Sequence, residues 1–197
     1  MPRTEEQNQR LKEERRRALL EASRQLFARK GFAASTMADL AAAAGISHGL
    51  VYHYFPDKDA VFAALVQEAV QQGIRLVAEA RALPGPPWAQ LEWLCTRMLE
   101  GIQREPTVPR MLVQAHVSES VPAAVAQALE PYSSRFFQEF VALIEAGQEA
   151  GEVVRTPAAE LAWVCIATVQ GLALMRIVPP ARVPFPEPRT LLRLFAP

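Results

Sequence analysis

Residues 45–58, Gly-Ile-Ser-His-Gly-Leu-Val-Tyr-His-Tyr-Phe-Pro-Asp-Lys, hold the side chains of this chain best suited to chemistry, and two chemistries compete for them. Residues 45–49 satisfy the G-x-S-x-G expression of a serine hydrolase, with Ser47 in the nucleophile's place. That motif needs a buried strand running into a sharp turn, whereas Ala41 to Ala44 is an alanine run that favours helix and makes a poor strand. Histidines occur only at 48, 53 and 116, and no metal spacing, paired-carboxylate site or phosphate loop accompanies them. No catalytic residue, metal or cofactor is therefore expected, and the chain does not read as an enzyme.

The second chemistry is the reading of DNA. Ser35 to Lys58 has the pattern of two short helices joined by a glycine turn. Thr36 is the N-cap of the first, with Asp39 three residues on to complete a capping box. Leu40, Ala41 and Ala44 form its apolar face, and Gly45 supplies the positive φ that ends it. Ser47 caps the second helix. Val51 and Phe55, four residues apart, fall on its buried face and leave His48, Tyr52 and Tyr54 toward a partner, which is how a recognition helix is divided.

With the preceding helix, Arg16 to Lys30 (RRALLEASRQLFARK), and the following DKDAVFAALVQEAV, this stretch resembles the N-terminal domain of the TetR family of transcriptional repressors. The resemblance covers residues 12 to 70 and is most specific in KGFAASTMADLAAAAGIS and GLVYHYFPDKDAVFAAL, where Gly31, Phe32, Thr36, Ala41, Gly45, Tyr52, Phe55 and Lys58 stand at the family's positions. It implies an all-α fold: a three-helix helix-turn-helix DNA-binding domain with a basic arm, residues 1–56, and a larger helical effector-binding and dimerisation domain, residues 57–197. It also implies phosphate contacts for Thr36, Tyr52, Tyr54 and Lys58. The full DNA-binding set expected is Thr36, Ser47, His48, Leu50, Tyr52, Tyr54 and Lys58. His48 stands where the family often has Lys, and Leu50 where it often has Thr or Ser. Leu50 either touches a thymine methyl or packs into the domain, and the base preference stays open.

Charge agrees with a DNA-binding head only modestly. The 197-residue chain is neutral overall, but residues 1–60 carry ten Lys or Arg against eight Asp or Glu and include all three lysines, Lys12, Lys30 and Lys58. Affinity depends on which face holds the cations rather than on the total. Arg10, Lys12, Arg15, Arg16 and Arg17 form either a basic arm for the backbone or minor groove or a merely solubilising terminus. Cys95 and Cys165 lack metal or disulfide spacing and read as buried thiols of a reducing, cytoplasmic setting. No secretory signal is apparent at the start. Leu161 to Val178 is interrupted by Thr168, Gln170, Gly171 and Arg176, so it reads as interior rather than membrane-spanning.

Prolines punctuate the second part. Leu83-Pro84-Gly85-Pro86-Pro87 stops the helix that begins at Asp57, and further helices are expected for Trp88–Arg104, Arg110–Ser118, Pro122–Glu130, Pro131–Ala150, Pro157–Val178 and Glu187–Phe195. Pro179–Pro188 reads as a stiff connector, and Gly73 as a bend in the long helix. The helix from Pro157 has Leu161, Val164, Cys165, Thr168, Leu172 and Met175 on one face, and Trp163, Ile166, Val169 and Ala173 on another. A helix apolar all round must be covered on two sides. The second cover is a second copy of the chain, and the resemblance implies a four-helix dimer interface shared with the helix from Tyr132 to Glu149. Phe140, Leu161, Val164, Thr168, Leu172 and Met175 are its expected contacts. Trp93, Met98, Met111, His116 and Phe137 are the candidates for lining a cavity for a small lipophilic effector; His116 is either an anchor for ligand or a core histidine.

The expected function is a ligand-responsive repressor that binds a palindromic operator in double-stranded DNA as a homodimer, with no membrane partner. The alternative is a helical protein-interaction adaptor that has lost operator binding.

Overall fold

The computed structural model describes residues 5–108, 111, 123–175 and 185–197; eight helices and no strands are present among them. The expected segment Arg110–Ser118 apart from Met111, His116 within it, and most of the connector Pro179–Pro188 lie outside the described residues. The chain forms two compact units, residues 1–66 with 115–128, and residues 67–114 with 129–197.

In the first unit, α1 (Glu5–Lys30) ends where Gly31 turns to φ +81° and donates its N–H to the Phe27 carbonyl. It packs on α2 (Met37–Ala43), which packs on α3 (His48–Val51). Three rings hold this unit: Phe27, Phe32 and Phe62, with centroids 4.7–5.8 Å apart. Leu19, Leu20, Leu40, Val51 and Val61 are buried in the same unit. Regular helix in α3 stops at Val51, and the chain continues in turns to Phe55. Pro56 accounts for the stop, because the residue before a proline is pushed out of the helical region. α4 (Lys58–Ala82) follows, with Asp57 accepting the Ala60 N–H at 2.7 Å as its cap.

α4 runs without a break through Gly73. The glycine has a packing use: a Cβ at this position would stand 3.2 Å from the Phe136 ring. In the second unit, α5 (Pro87–Arg104) starts at prolines and lacks a side-chain cap of its own, so Glu152 reaches across to accept the Trp88 N–H at 2.9 Å. A single helix, α6 (Ala123–Glu149), replaces the two expected around Pro131, which lies inside it. The missing amide removes one hydrogen bond, but the turns on either side are anchored. Leu129 is buried, and the Tyr132 hydroxyl accepts from the Gln67 amide at 2.7 Å.

α7 (Ala158–Met175) and α8 (Pro188–Leu192) both pack on α5. The core of this unit joins Leu91, Leu94 and Leu99 of α5, Phe140, Leu143 and Ile144 of α6, Leu161, Cys165 and Val169 of α7, and Phe195 beyond α8. Val154 donates its N–H to the Phe195 carbonyl at 3.0 Å, fastening the C-terminal residues to the loop before α7.

Candidate nucleic-acid interface

The DNA-reading stretch is built from short-range polar contacts over a fixed apolar floor. At the start of α2, Thr36 Oγ1 accepts the Asp39 N–H at 3.2 Å while the Asp39 carboxylate accepts the Thr36 N–H at 2.9 Å, so the expected capping box is formed in full. The Thr36 hydroxyl also donates to Asp39 at 2.8 Å. Its single donor is thus spent within the protein. Lys30, at the end of α1, pairs with the same carboxylate at 2.5 Å. The Lys30 ammonium first, then the two Thr36 donors, lower the pKa of Asp39 from 3.8 to about 2.

Gly45 has φ +65°, as the turn requires, and Ser47 then caps α3 by accepting the Leu50 N–H at 3.3 Å. Ser47 therefore begins a helix after a helix, and no strand leads into it; the G-x-S-x-G match is not a nucleophile elbow. Val51 and Phe55 are buried beneath α3. The Arg16 guanidinium lies 5.1 Å from the Phe55 ring centroid, which gives this member of the expected basic arm a packing role. Arg10 pairs with Glu14 at 3.2 Å within α1, so the arm is helical and partly self-neutralised.

On the opposite side, His48 is exposed and its ring meets that of Tyr52 edge-on at 5.2 Å. Tyr52 is 47% exposed, the largest exposed hydrophobic side chain described in this head. Leu50 and Tyr54 are half-buried, and Tyr54 meets His53 edge-on at 6.4 Å. The histidine and tyrosine expected to face a partner therefore form one exposed aromatic pair on a rigid base.

Lys58 makes its contacts within the head. Its Nζ donates to three backbone carbonyls, those of Phe32 at 3.2 Å and of Ala33 and Ser35 at 3.3 Å, and sits 4.5 Å from the Phe32 ring centroid. An ammonium has three N–H donors, so none remains for a phosphate in this arrangement. The residues missing from the sequence reading of the head are Lys30 and Asp39 as an ion pair and the carbonyls that Lys58 holds.

In the second unit, the expected effector-lining residues pack against the core. Trp93, Met98 and Phe137 are half-buried around it, with Arg97 5.4 Å from the Trp93 ring centroid and Phe137 5.2 Å from Trp163; Met111 is buried. The expected faces of α7 need correction. Ala158, Leu161, Ala162, Cys165, Val169 and Ala173 form the buried stripe, whereas Trp163, Val164, Thr168, Leu174 and Met175 are exposed. Phe140 and Leu161, expected at a dimer interface, are instead consumed by their own core, and Leu172 is half-buried against it. α7 is long and apolar enough to cross a membrane, yet a third of it is buried in its own unit. Cys95 and Cys165 meet in this core, where the hydrogen bond between the thiols, and then burial, push the Cys95 pKa up.

Residues 19–65 match the family described as bacterial regulatory proteins, tetR family. The chain is 38% identical over 90 residues to an HTH-type transcriptional repressor of Mycobacterium tuberculosis, across 43% of this chain and 48% of that protein. It thus spans about half the length of that relative. It is 29% identical over 146 residues to the uncharacterized HTH-type regulator YfiR of Bacillus subtilis, covering 72% of this chain and 69% of that one. In fold it is similar to the MbdR regulator of Azoarcus sp., with a TM-score of 0.78 at 22% identity over 91% of this chain and 96% of that one. The head's geometry and the matched segment agree: residues 19–65 form a helix-turn-helix domain similar to that of bacterial regulatory proteins of the tetR family, and the helical fold is similar to that of a solved regulator.

Proposed function

We propose that this chain is a cytoplasmic repressor that binds a palindromic operator as a homodimer and is released by a small lipophilic effector. The observation that carries the reading is the exposed His48–Tyr52 pair held above the buried Val51 and Phe55. In each head His48, Tyr52 and Leu50 face base edges in the major groove, while Ser47 and Tyr54 meet phosphates. Thr36 sits at the same surface, and its phosphate contact requires Asp39 to give up the hydroxyl proton.

A second copy covers the exposed stripe of α7, Trp163, Val164, Thr168 and Met175, and two-fold protein symmetry then matches a palindromic site. Repression is supported by the printed names of the relatives in Mycobacterium tuberculosis and Corynebacterium diphtheriae, both called HTH-type transcriptional repressors. An effector held among Trp93, Met98, Met111 and Phe137 acts on the heads through α4. Its 25 residues make a lever about 38 Å long at 1.5 Å per residue. A coupling of about 1–3 kcal/mol changes operator affinity about 5- to 150-fold.

The test is a gel shift at physiological salt with the DNA upstream of the chain's own coding region. Wild type shifts it, and His48→Ala changes which sites in that DNA are preferred. Protein that shifts no DNA there but retains protein partners supports the adaptor instead.

A further inference from the structure

We propose that Lys58 is a positioning residue of the DNA-reading head, closing the turn between α1 and α2 onto the start of α4 instead of holding a phosphate. The turn from Gly31 to Thr36 lies between two helices, and of its carbonyls that of Phe32 accepts the Ser35 N–H at 3.2 Å, with a second lone pair still to offer. The Phe32 and Ser35 contacts are part-buried, where carbonyls need partners, whereas the Ala33 contact is exposed. The Ser35 hydroxyl donates to the Gly31 carbonyl at 2.6 Å, and the Lys58 ammonium supplies those of Phe32, Ala33 and Ser35.

Three features favour this role over a phosphate contact. The carbonyls converge on one point, which suits a compact ammonium with three rotatable donors. The Phe32 ring beneath the charge is itself buried in the cluster with Phe27 and Phe62, so the ammonium is fixed to the unit's core. The first turn of α4 disfavours a cation because the helix dipole is positive there. Reaching back to three carbonyls relieves that repulsion. Lys58 then acts on DNA through the place where α2 begins, because α2 carries α3 and with it His48 and Tyr52.

The effect on DNA binding rests on the proposed operator reading, whereas the clamp itself does not. Full-length wild type is compared with Lys58→Met, which keeps the stem over Phe32 without the charge, and with Lys58→Arg. Arginine keeps the charge and is a good phosphate ligand, but its planar fork cannot converge on three carbonyls. Binding is measured across a salt series to the upstream duplex and to an unrelated mixed-sequence duplex, and amide exchange is followed at residues 31–36 without DNA.

Both variants are expected to bind every duplex about tenfold more weakly, with the wild-type salt slope and with faster exchange at residues 31–36. A slope lowered by about 0.9 per head in Lys58→Met marks a lost phosphate contact and overturns the proposal. So does Lys58→Arg with wild-type affinity and wild-type exchange. Wild type that binds neither duplex sinks the operator reading, and exchange at residues 31–36 still decides the clamp.

Discussion

The head and the body of this chain are stabilised by different means. In the head, each turn between helices is closed by a named polar contact: Thr36 with Asp39, Lys30 with Asp39, Ser47 with the Leu50 amide, and Lys58 with three carbonyls. The body instead relies on apolar packing continuous from α5 to Phe195, with polar ties such as Glu152 to Trp88 at its margins. Polar contacts fix direction, and a surface that must meet a phosphate lattice in one register needs direction. Apolar packing fixes volume and tolerates several registers, which suits a region whose proposed partners are a second copy and a small molecule.

The largest test of this contrast removes one fully buried ring from each region. Phe62→Ala in the head and Phe140→Ala in the body each cost about 3–5 kcal/mol of stability, since both rings are fully buried. If the two units have separate cores, amide exchange rises throughout α1–α3 in the first variant and throughout α5–α7 in the second. Exchange rising equally everywhere in both would erase the distinction.

A smaller test concerns the charge that orders the head. Asp39 has a folded-state pKa near 2 against an ordinary 3.8, so its contribution to stability is present above 3.8 and is lost as pH falls toward about 2. Because Lys30 is the leading cause, Lys30→Met should raise the Asp39 pKa toward 3.8, read by NMR titration of the side-chain carboxyl. An unchanged pKa would leave Thr36 as the real partner and detach α1 from the ordering of α2.

The same contrast explains what could be read in the sequence. The capping box, the Gly45 turn, the Ser47 cap and the buried Val51–Phe55 pair involve residues at most five apart, so local patterns reveal them. The carbonyl contacts of Lys58 are not legible, because its partners lie 23 to 26 residues upstream and meet it only after α1, α2 and α4 have closed. In the body, α7 is apolar on every side, so no polar stripe marked which face turns inward; Val169 and Ala173 joined Leu161 and Cys165 in the core, against expectation. Pro131 reads as a helix start because a proline's local preference is visible in the sequence and the packing that overrides it is not. The thiols of Cys95 and Cys165 are adjacent for the same reason: seventy residues of sequence separate two helices that share a core.

Two glycines of the body sharpen the point at the smallest scale. Both lie within helices, where alanine is preferred to glycine by about 1 kcal/mol, so the contacts a Cβ would make decide the outcome. At Gly147 a Cβ would stand 2.5 Å from Val153 Cγ2. Val153 is buried and β-branched, with little rotamer freedom, and the Gly147 carbonyl also accepts its N–H at 3.2 Å. Gly147→Ala should therefore destabilise by about 1–3 kcal/mol despite the better helix former. At Gly73 the neighbour is the half-buried Phe136 ring at 3.2 Å, which can turn aside by a few tenths of an ångström. Gly73→Ala should leave the unfolding free energy from urea titration within about 0.5 kcal/mol of wild type, the helix gain offsetting the displaced ring. A loss as large as that of Gly147→Ala would mean that Phe136 is held as firmly as Val153, and that α4 and α6 meet there in a single fixed register, as the turns of the head do.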